Sequence, residues 1–117
     1  MEGEVDNLSF GLTHFIFDGN ELKPSMPNRL AGVLKGARKL KELSLRKCQL
    51  EDNGLKVTFE KLSPLMYIKR MDFSENAITD YGIESVSHCI GLNKKSSLKS
   101  ICFSHNAITT VGLIKLF

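Results

Sequence analysis

The sequence predicts an α/β repeat array in which each copy supplies a short strand, a turn and an amphipathic helix. Two observations carry this. The stretch Ile68 to Gly82 places apolar residues at offsets 1, 4, 6 and 11, an asparagine at offset 9 and a glycine at offset 15. That spacing is neither a helix period nor a strand alternation, so the unit changes structure partway along. The same offsets return as Leu12, Phe15, Phe17, Asn20 and Leu22, as Leu40, Leu43, Leu45, Cys48 and Leu50, and as Leu98, Ile101, Phe103, Asn106 and Ile108. Copies therefore start at residues 12, 40, 68 and 98, and self-similarity at this period signals stacked units.

Residues 1–11 hold Val5, Leu8 and Phe10 as burying groups and are read as a lid over the first edge strand or a remnant of a preceding repeat. In the first copy (12–39) the strand is Leu12 to Phe17, with Phe15 and Phe17 on one face. Lys23-Pro24-Ser25-Met26-Pro27 stands where a glycine is expected, and its prolines delay the helix to Asn28, from which it runs through Leu30, Val33 and Leu34 to Gly36. The second copy (40–67) has its strand at Leu40 to Leu45 and its turn at Cys48. Glu51-Asp52-Asn53 caps its helix, and Leu55, Phe59 and Leu62 share one face before Ser63-Pro64 ends it. In the third copy (68–97) Thr79-Asp80 caps a helix that buries Ile83, Val86 and Ile90 and closes near Gly91. The polar loop Asn93 to Ser97 is two residues longer than its counterparts. The fourth copy (98–117) follows the same pattern to Gly112-Leu113 and is shortened, stopping at Leu116-Phe117.

The frame L-x-x-L-x-L-x-x-[N/C]-x-L, followed by a glycine and an amphipathic run, resembles the leucine-rich repeat, and the period with its helical second half resembles the ribonuclease-inhibitor type. The likeness spans Leu12 to Phe117. It implies a right-handed horseshoe segment with a parallel sheet on the concave side and helices on the convex side. It also implies that Asn20, Asn76 and Asn106 bond the backbone of neighbouring turns, and that Cys48 takes that place as a structural thiol. Unrelated activities share this scaffold, so fold alone does not name a function.

The 117 residues are 42% apolar and 25% charged, an ordinary globular composition, with net charge +3. The acidic amino terminus Met-Glu-Gly-Glu-Val-Asp-Asn lacks the apolar core of a signal peptide, and nowhere do 18 consecutive apolar residues occur. Three cysteines, an odd number with no CxxC pair, do not form a disulfide framework. A cytoplasmic location is the expectation. The basic clusters Lys35 to Lys41 and Lys94 to Lys99 fall mostly between copies, which favours solvated loops over a nucleic-acid patch.

Residues at offsets 3, 5, 7 and 8 are expected to point away from the core onto the concave surface. They are His14, Ile16, Asp18 and Gly19; Glu42, Ser44, Arg46 and Lys47; Arg70, Asp72, Ser74 and Glu75; and Ser100, Cys102, Ser104 and His105. Equivalent positions in adjacent strands lie about 4.8 Å apart, which makes neighbours of Asp18 and Arg46, of Glu42 and Arg70, and of Lys47 and Glu75. These pairs either keep the face hydrated and in register or form a strip that selects a partner by charge. Ile16 is the apolar foothold. Four strands give a face of roughly 300 Å² against about 800 Å² per partner in a standard interface, so adjoining loops or further repeats must contribute.

No catalytic constellation is present. His14 and His105 are three strands apart, roughly 14 Å across the sheet. Cys102 and His105 have no acidic third member in their strand, and nucleophilic catalysis needs an oriented base. Glycine-rich phosphate loops are missing, His88 and Cys89 are read as packing on the outer helix, and neither a metal nor a cofactor is implied. The reading is a non-enzymatic protein-interaction module, part of a longer protein, that binds a protein through concave strands and adjoining loops. The alternatives are a GTPase-activating segment, with Arg46 or Arg70 or an asparagine near them at the partner's nucleotide, or an actin-regulatory segment, and structural support for a neighbouring domain. Apolar Leu116-Phe117 leaves the last copy uncapped and able to self-associate.

Overall fold

A computed structural model describes residues 12–21, 30, 39–62, 68–92 and 98–116; within these, the side chains of 61, 62, 89–92, 113, 115 and 116 are not described. Strands β1 (His14–Ile16), β2 (Glu42–Ser44), β3 (Arg70–Asp72) and β4 (Ser100–Cys102) form one parallel sheet in sequence order. Helices α1 (Glu51–Leu62), α2 (Asp80–Leu92) and α3 (Thr110–Leu116) follow β2, β3 and β4. The register pairs His14 with Glu42, Glu42 with Arg70, and Arg70 with Ser100, so residues sharing an offset stand side by side in all four copies. The expected α/β array is therefore the observed one. The lid assigned to residues 1–11, the delayed first helix apart from Leu30, and Leu116-Phe117 lie outside the described residues or their described side chains; Leu30 is helical and buried.

Each strand is three residues long rather than the six expected, although pairing continues beyond it. Phe17 N donates to Ser44 O at 2.9 Å and Gly19 N to Arg46 O at 2.8 Å. The chain leaves strand geometry because offset 8 is left-handed in every copy, with φ of 78° at Gly19, 53° at Lys47, 58° at Glu75 and 56° at His105. Glycine adopts this conformation without a Cβ penalty, whereas the other three each hold it against roughly 1–2 kcal/mol.

The core is what the apolar offsets dictate. Leu40, Leu43, Leu45 and Leu50 of the second copy and Ile68, Met71, Phe73 and Ile78 of the third are all buried, as are Leu55, Phe59, Ile83 and Val86 from the helices facing them. Among the described residues the first and fourth copies have a neighbour on one side only, and their Phe15, Phe17, Ile101, Phe103 and Ile108 are half-buried. Phe73 links the layers, its ring centroid 5.5 Å from Phe59 and 5.9 Å from Phe103.

Two of the three asparagines, Asn76 and Asn106, bond the backbone of the neighbouring copy. Asn76 Oδ1 accepts from Cys48 N at 2.9 Å and Leu50 N at 3.2 Å, while its Nδ2 donates to Leu45 O, Phe73 O and Ser74 O. Asn106 repeats the arrangement one copy on, accepting from Asn76 N and Ile78 N. Each removes buried amides from a debt of about 1–3 kcal/mol apiece. Cys48 is buried and keeps only the donating half, its Sγ reaching Phe17 O and Arg46 O at 3.3 Å. Asn20 is exposed and bonds its own turn through Phe17 O and Asp18 O.

Two helix starts differ from expectation. Asp52 does not cap α1; its carboxylate crosses to the third copy, taking Thr79 N at 2.7 Å and Thr79 Oγ1 at 2.5 Å. Asp80 likewise crosses to Thr109 N and Thr109 Oγ1, leaving Thr79 Oγ1 to cap α2 through Tyr81 N at 3.3 Å. An intrahelical cap satisfies one donor, whereas the crossing carboxylate satisfies a backbone and a hydroxyl donor with a charge-assisted acceptor.

Candidate functional site

The strip begins with a three-residue relay across β1, β2 and β3. Glu42 Oε1 accepts from Arg70 Nη1 at 2.8 Å and Glu42 Oε2 lies 3.4 Å from His14 Nε2, so the expected Glu42–Arg70 neighbours do pair and His14 joins them. Lys47 Nζ lies 3.7 Å from Glu75 Oε2, as the spacing predicts. These side chains are 34–67% exposed, and screening holds each pair to about 0–1 kcal/mol.

Asp18 and Arg46 do not form the expected pair. Asp18 Oδ1 instead accepts from Ser44 Oγ at 2.6 Å and from Arg46 N at 2.9 Å, which fixes the backbone of the next strand. The Arg46 guanidinium is thereby left to the following copy, 3.8 Å from Asp72 Oδ2 and 3.9 Å from Glu75 Oε2. Asp72 is loaded in the same way, its Oδ1 accepting from Ser74 N at 2.9 Å and Ser74 Oγ at 2.6 Å, and its Oδ2 is the oxygen that faces the arginine.

Ser74, expected on the exposed strip, is buried. Its Oγ donates to Asp72 Oδ1 at 2.6 Å and lies 3.2 Å from Cys102 Sγ. Cys102 is half-buried, and its Sγ is 3.1 Å from Ser104 Oγ. Its neighbours are thus hydroxyls rather than His105. The Ser104 hydroxyl, followed by that of Ser74, holds the Cys102 thiol below its ordinary pKa. Burial pushes the Cys48 thiol the other way.

The remaining members of the strip are open. Ile16 is 69% exposed, and Ser100, Ser104 and His105 are exposed. His88, read from sequence as packing, is exposed instead and borders a groove of about 350 Å³ between α1 and α2 with Lys56, Glu60, Glu84 and Ser85. Among the described residues no three His, Cys, Asp or Glu side chains are grouped as metal ligands, and no described helix is long and apolar enough to cross a membrane.

Sequence reasoning missed the joint made by Asp52 with Thr79 and by Asp80 with Thr109, and with it the reason for the offset-15 glycine. A Cβ on Gly82 would meet Asp52 Oδ1 at 2.5 Å and Ile78 Cγ2 at 2.9 Å, and one on Gly112 would run into Asp80 Oδ1. Gly54, which follows a copy with Pro24 in place of the acid, would meet only Leu50. The signal was present as Thr-Asp-x-Gly at offsets 12 to 15 of the third copy.

The family model for the Leucine Rich repeat matches residues 36–57 and 94–117. No curated protein matches the sequence. The solved structure of Leiomodin-1 Actin-Binding Site 2 (ABS2) is similar to the chain with a TM-score of 0.79 at 15% identity, covering 98% of this chain and 67% of that one. At that identity the likeness speaks to the fold.

Proposed function

The chain carries leucine-rich repeats, and from that premise we propose that it is a non-enzymatic, cytoplasmic protein-interaction module of the ribonuclease-inhibitor-like type. Its partner is a protein, held through the concave side chains and the loops that follow the strands. The observation that carries this reading is the strip itself. His14, Ile16, Arg46, Lys47, Arg70, Ser100, Ser104 and His105 stand exposed on strands locked in register, with Glu42, Ser44, Asp72, Glu75 and Cys102 half-buried between them. Lys47, Glu75 and His105 are held left-handed, a strained conformation that accumulates at ligand-contacting positions. Mutual ion pairing orders the long side chains before a partner arrives and lowers the entropy lost on binding.

Actin is the first partner to test, because the similar structure is an actin-binding segment. In co-sedimentation with filamentous actin, the chain is expected to pellet saturably, and the double substitution Arg46→Ala/Arg70→Ala to weaken this about tenfold or more without lowering the melting temperature by more than a few degrees. Undiminished sedimentation of the double variant would remove the concave strip from the interface. Absence of sedimentation would remove actin and leave the strip to be tried against other proteins.

A further inference from the structure

Offset 2, where the chain enters each strand, holds Thr13, Lys41, Lys69 and Lys99. These residues are stacked through their backbones: Lys41 N donates to Thr13 O, Lys69 N to Lys41 O and Lys99 N to Lys69 O, each at 2.8 Å. Parallel neighbours lie about 4.8 Å apart, so three lysine stems leave the sheet in one column. Lys41 and Lys99 are exposed and Lys69 is half-buried. The cations of the concave strip, Arg46, Lys47 and Arg70, each have a carboxylate within 4.0 Å. Among the described residues none stands that close to Lys41, Lys69 or Lys99. Like charges directly opposite one another destabilise a sheet, and no carboxylate among the described residues relieves that cost in this column.

We infer that the lysine column is a docking edge for an acidic helix of the partner protein. This rests on the protein-binding reading above but places a second contact outside the concave strip. The spacing selects the occupant. Residues three or four apart on a helix lie about 5–6 Å from one another, close to the pitch of the column. Same-face residues of an extended segment are about 6.6–6.8 Å apart, and successive phosphates of one duplex strand advance about 3.4 Å along its axis. Anionic membranes are met by clusters of roughly 4–8 basic residues spread beside an apolar face rather than by a single line of three. A helix with acidic residues at i, i+4 and i+8 sets one carboxylate against each ammonium.

The test is fluorescence anisotropy with the full chain and a labelled alanine-based helical peptide carrying glutamate at every fourth position. Binding that weakens with salt is expected, together with a loss of about tenfold in affinity for Lys69→Glu. The same substitution turns two like-charge contacts into two opposite ones, so its melting temperature is expected to match or exceed that of the parent, which separates lost binding from lost folding. Unchanged affinity in Lys69→Glu overturns the inference. So does tighter binding of a proline-interrupted peptide of equal charge, an oligothymidine strand or phosphatidylserine vesicles. If Arg46→Ala/Arg70→Ala weakens peptide binding and Lys69→Glu does not, the column fails while the concave reading survives.

Discussion

Cys48 in the second copy and Cys102 in the fourth are chemically opposite. Cys48 is buried with its Sγ 3.3 Å from two carbonyl oxygens that share its one S–H, and burial raises its pKa. The folded chain therefore keeps that proton at pH values where the unfolded chain has begun to lose it. Stability from Cys48 is full below the ordinary thiol range, near pH ~8.5, and declines as pH rises through it. Cys102 has the reverse sign, because the Ser104 hydroxyl favours its thiolate. Its contribution to stability is present above the ordinary thiol pKa and is lost as pH falls through the folded one. A maleimide titration over pH 6 to 10 is expected to label Cys102 at a lower pH than a model thiol, to leave Cys48 unlabelled until the chain unfolds, and to show a later onset for Cys102 in Ser104→Ala. Equal labelling of both thiols in the folded chain would contradict this assignment. At this scale the sequence was legible for Cys48, because a nine-residue offset defines its place. It was not legible for Ser74, whose burial depends on the hydroxyl and thiol contacts that a small side chain makes with Asp72 and Cys102.

At the scale of elements, the copies are joined by carboxylates as well as by the sheet. Asp52 holds the first turn of α2 through Thr79, and Asp80 holds that of α3 through Thr109. Gly82 is required because the Asp52 carboxylate fills the space of a side chain. Gly82→Ala is expected to cost about 2–3 kcal/mol through overpacking, whereas Gly54→Ala should stay within about 1 kcal/mol of the parent, since lost steric room against Leu50 is offset by better helix propensity. The decisive measurement is a denaturant double-mutant cycle with Asp52→Ala. The two changes share one contact, so Gly82→Ala is expected to cost clearly less when Asp52 is already gone. Strictly additive costs would show that the glycine serves some other purpose. Strand and helix positions were legible because burial follows the offsets. The joints were hidden because Asp and Thr before a helix also read as a cap.

Across the whole molecule, burial falls from the middle outward. Among the described residues the second and third copies have a strand on either side, while the first and fourth keep half-buried aromatic residues beside β1 and β4. Neighbour-only contacts make stability a sum over copies and interfaces, so native-state hydrogen exchange is expected to protect the amides of Leu43, Leu45, Met71 and Phe73 most and those of Phe15 and Ile101 least. Uniform protection would mean that the array opens as one unit. The direction of the Asp52 and Asp80 joints adds a consequence for how such a chain is put together. The second copy offers an acid forward, the third both receives one and offers one, and the fourth receives one but has Thr110 in place of its own acid. Exchanging the second and third copies would bring Asp80 against Glu51 instead of a threonine, acid facing acid. The modules are therefore not interchangeable bricks: their order along the chain is written into the seams between them, and any recombinant assembled from these parts must carry both halves of each seam together.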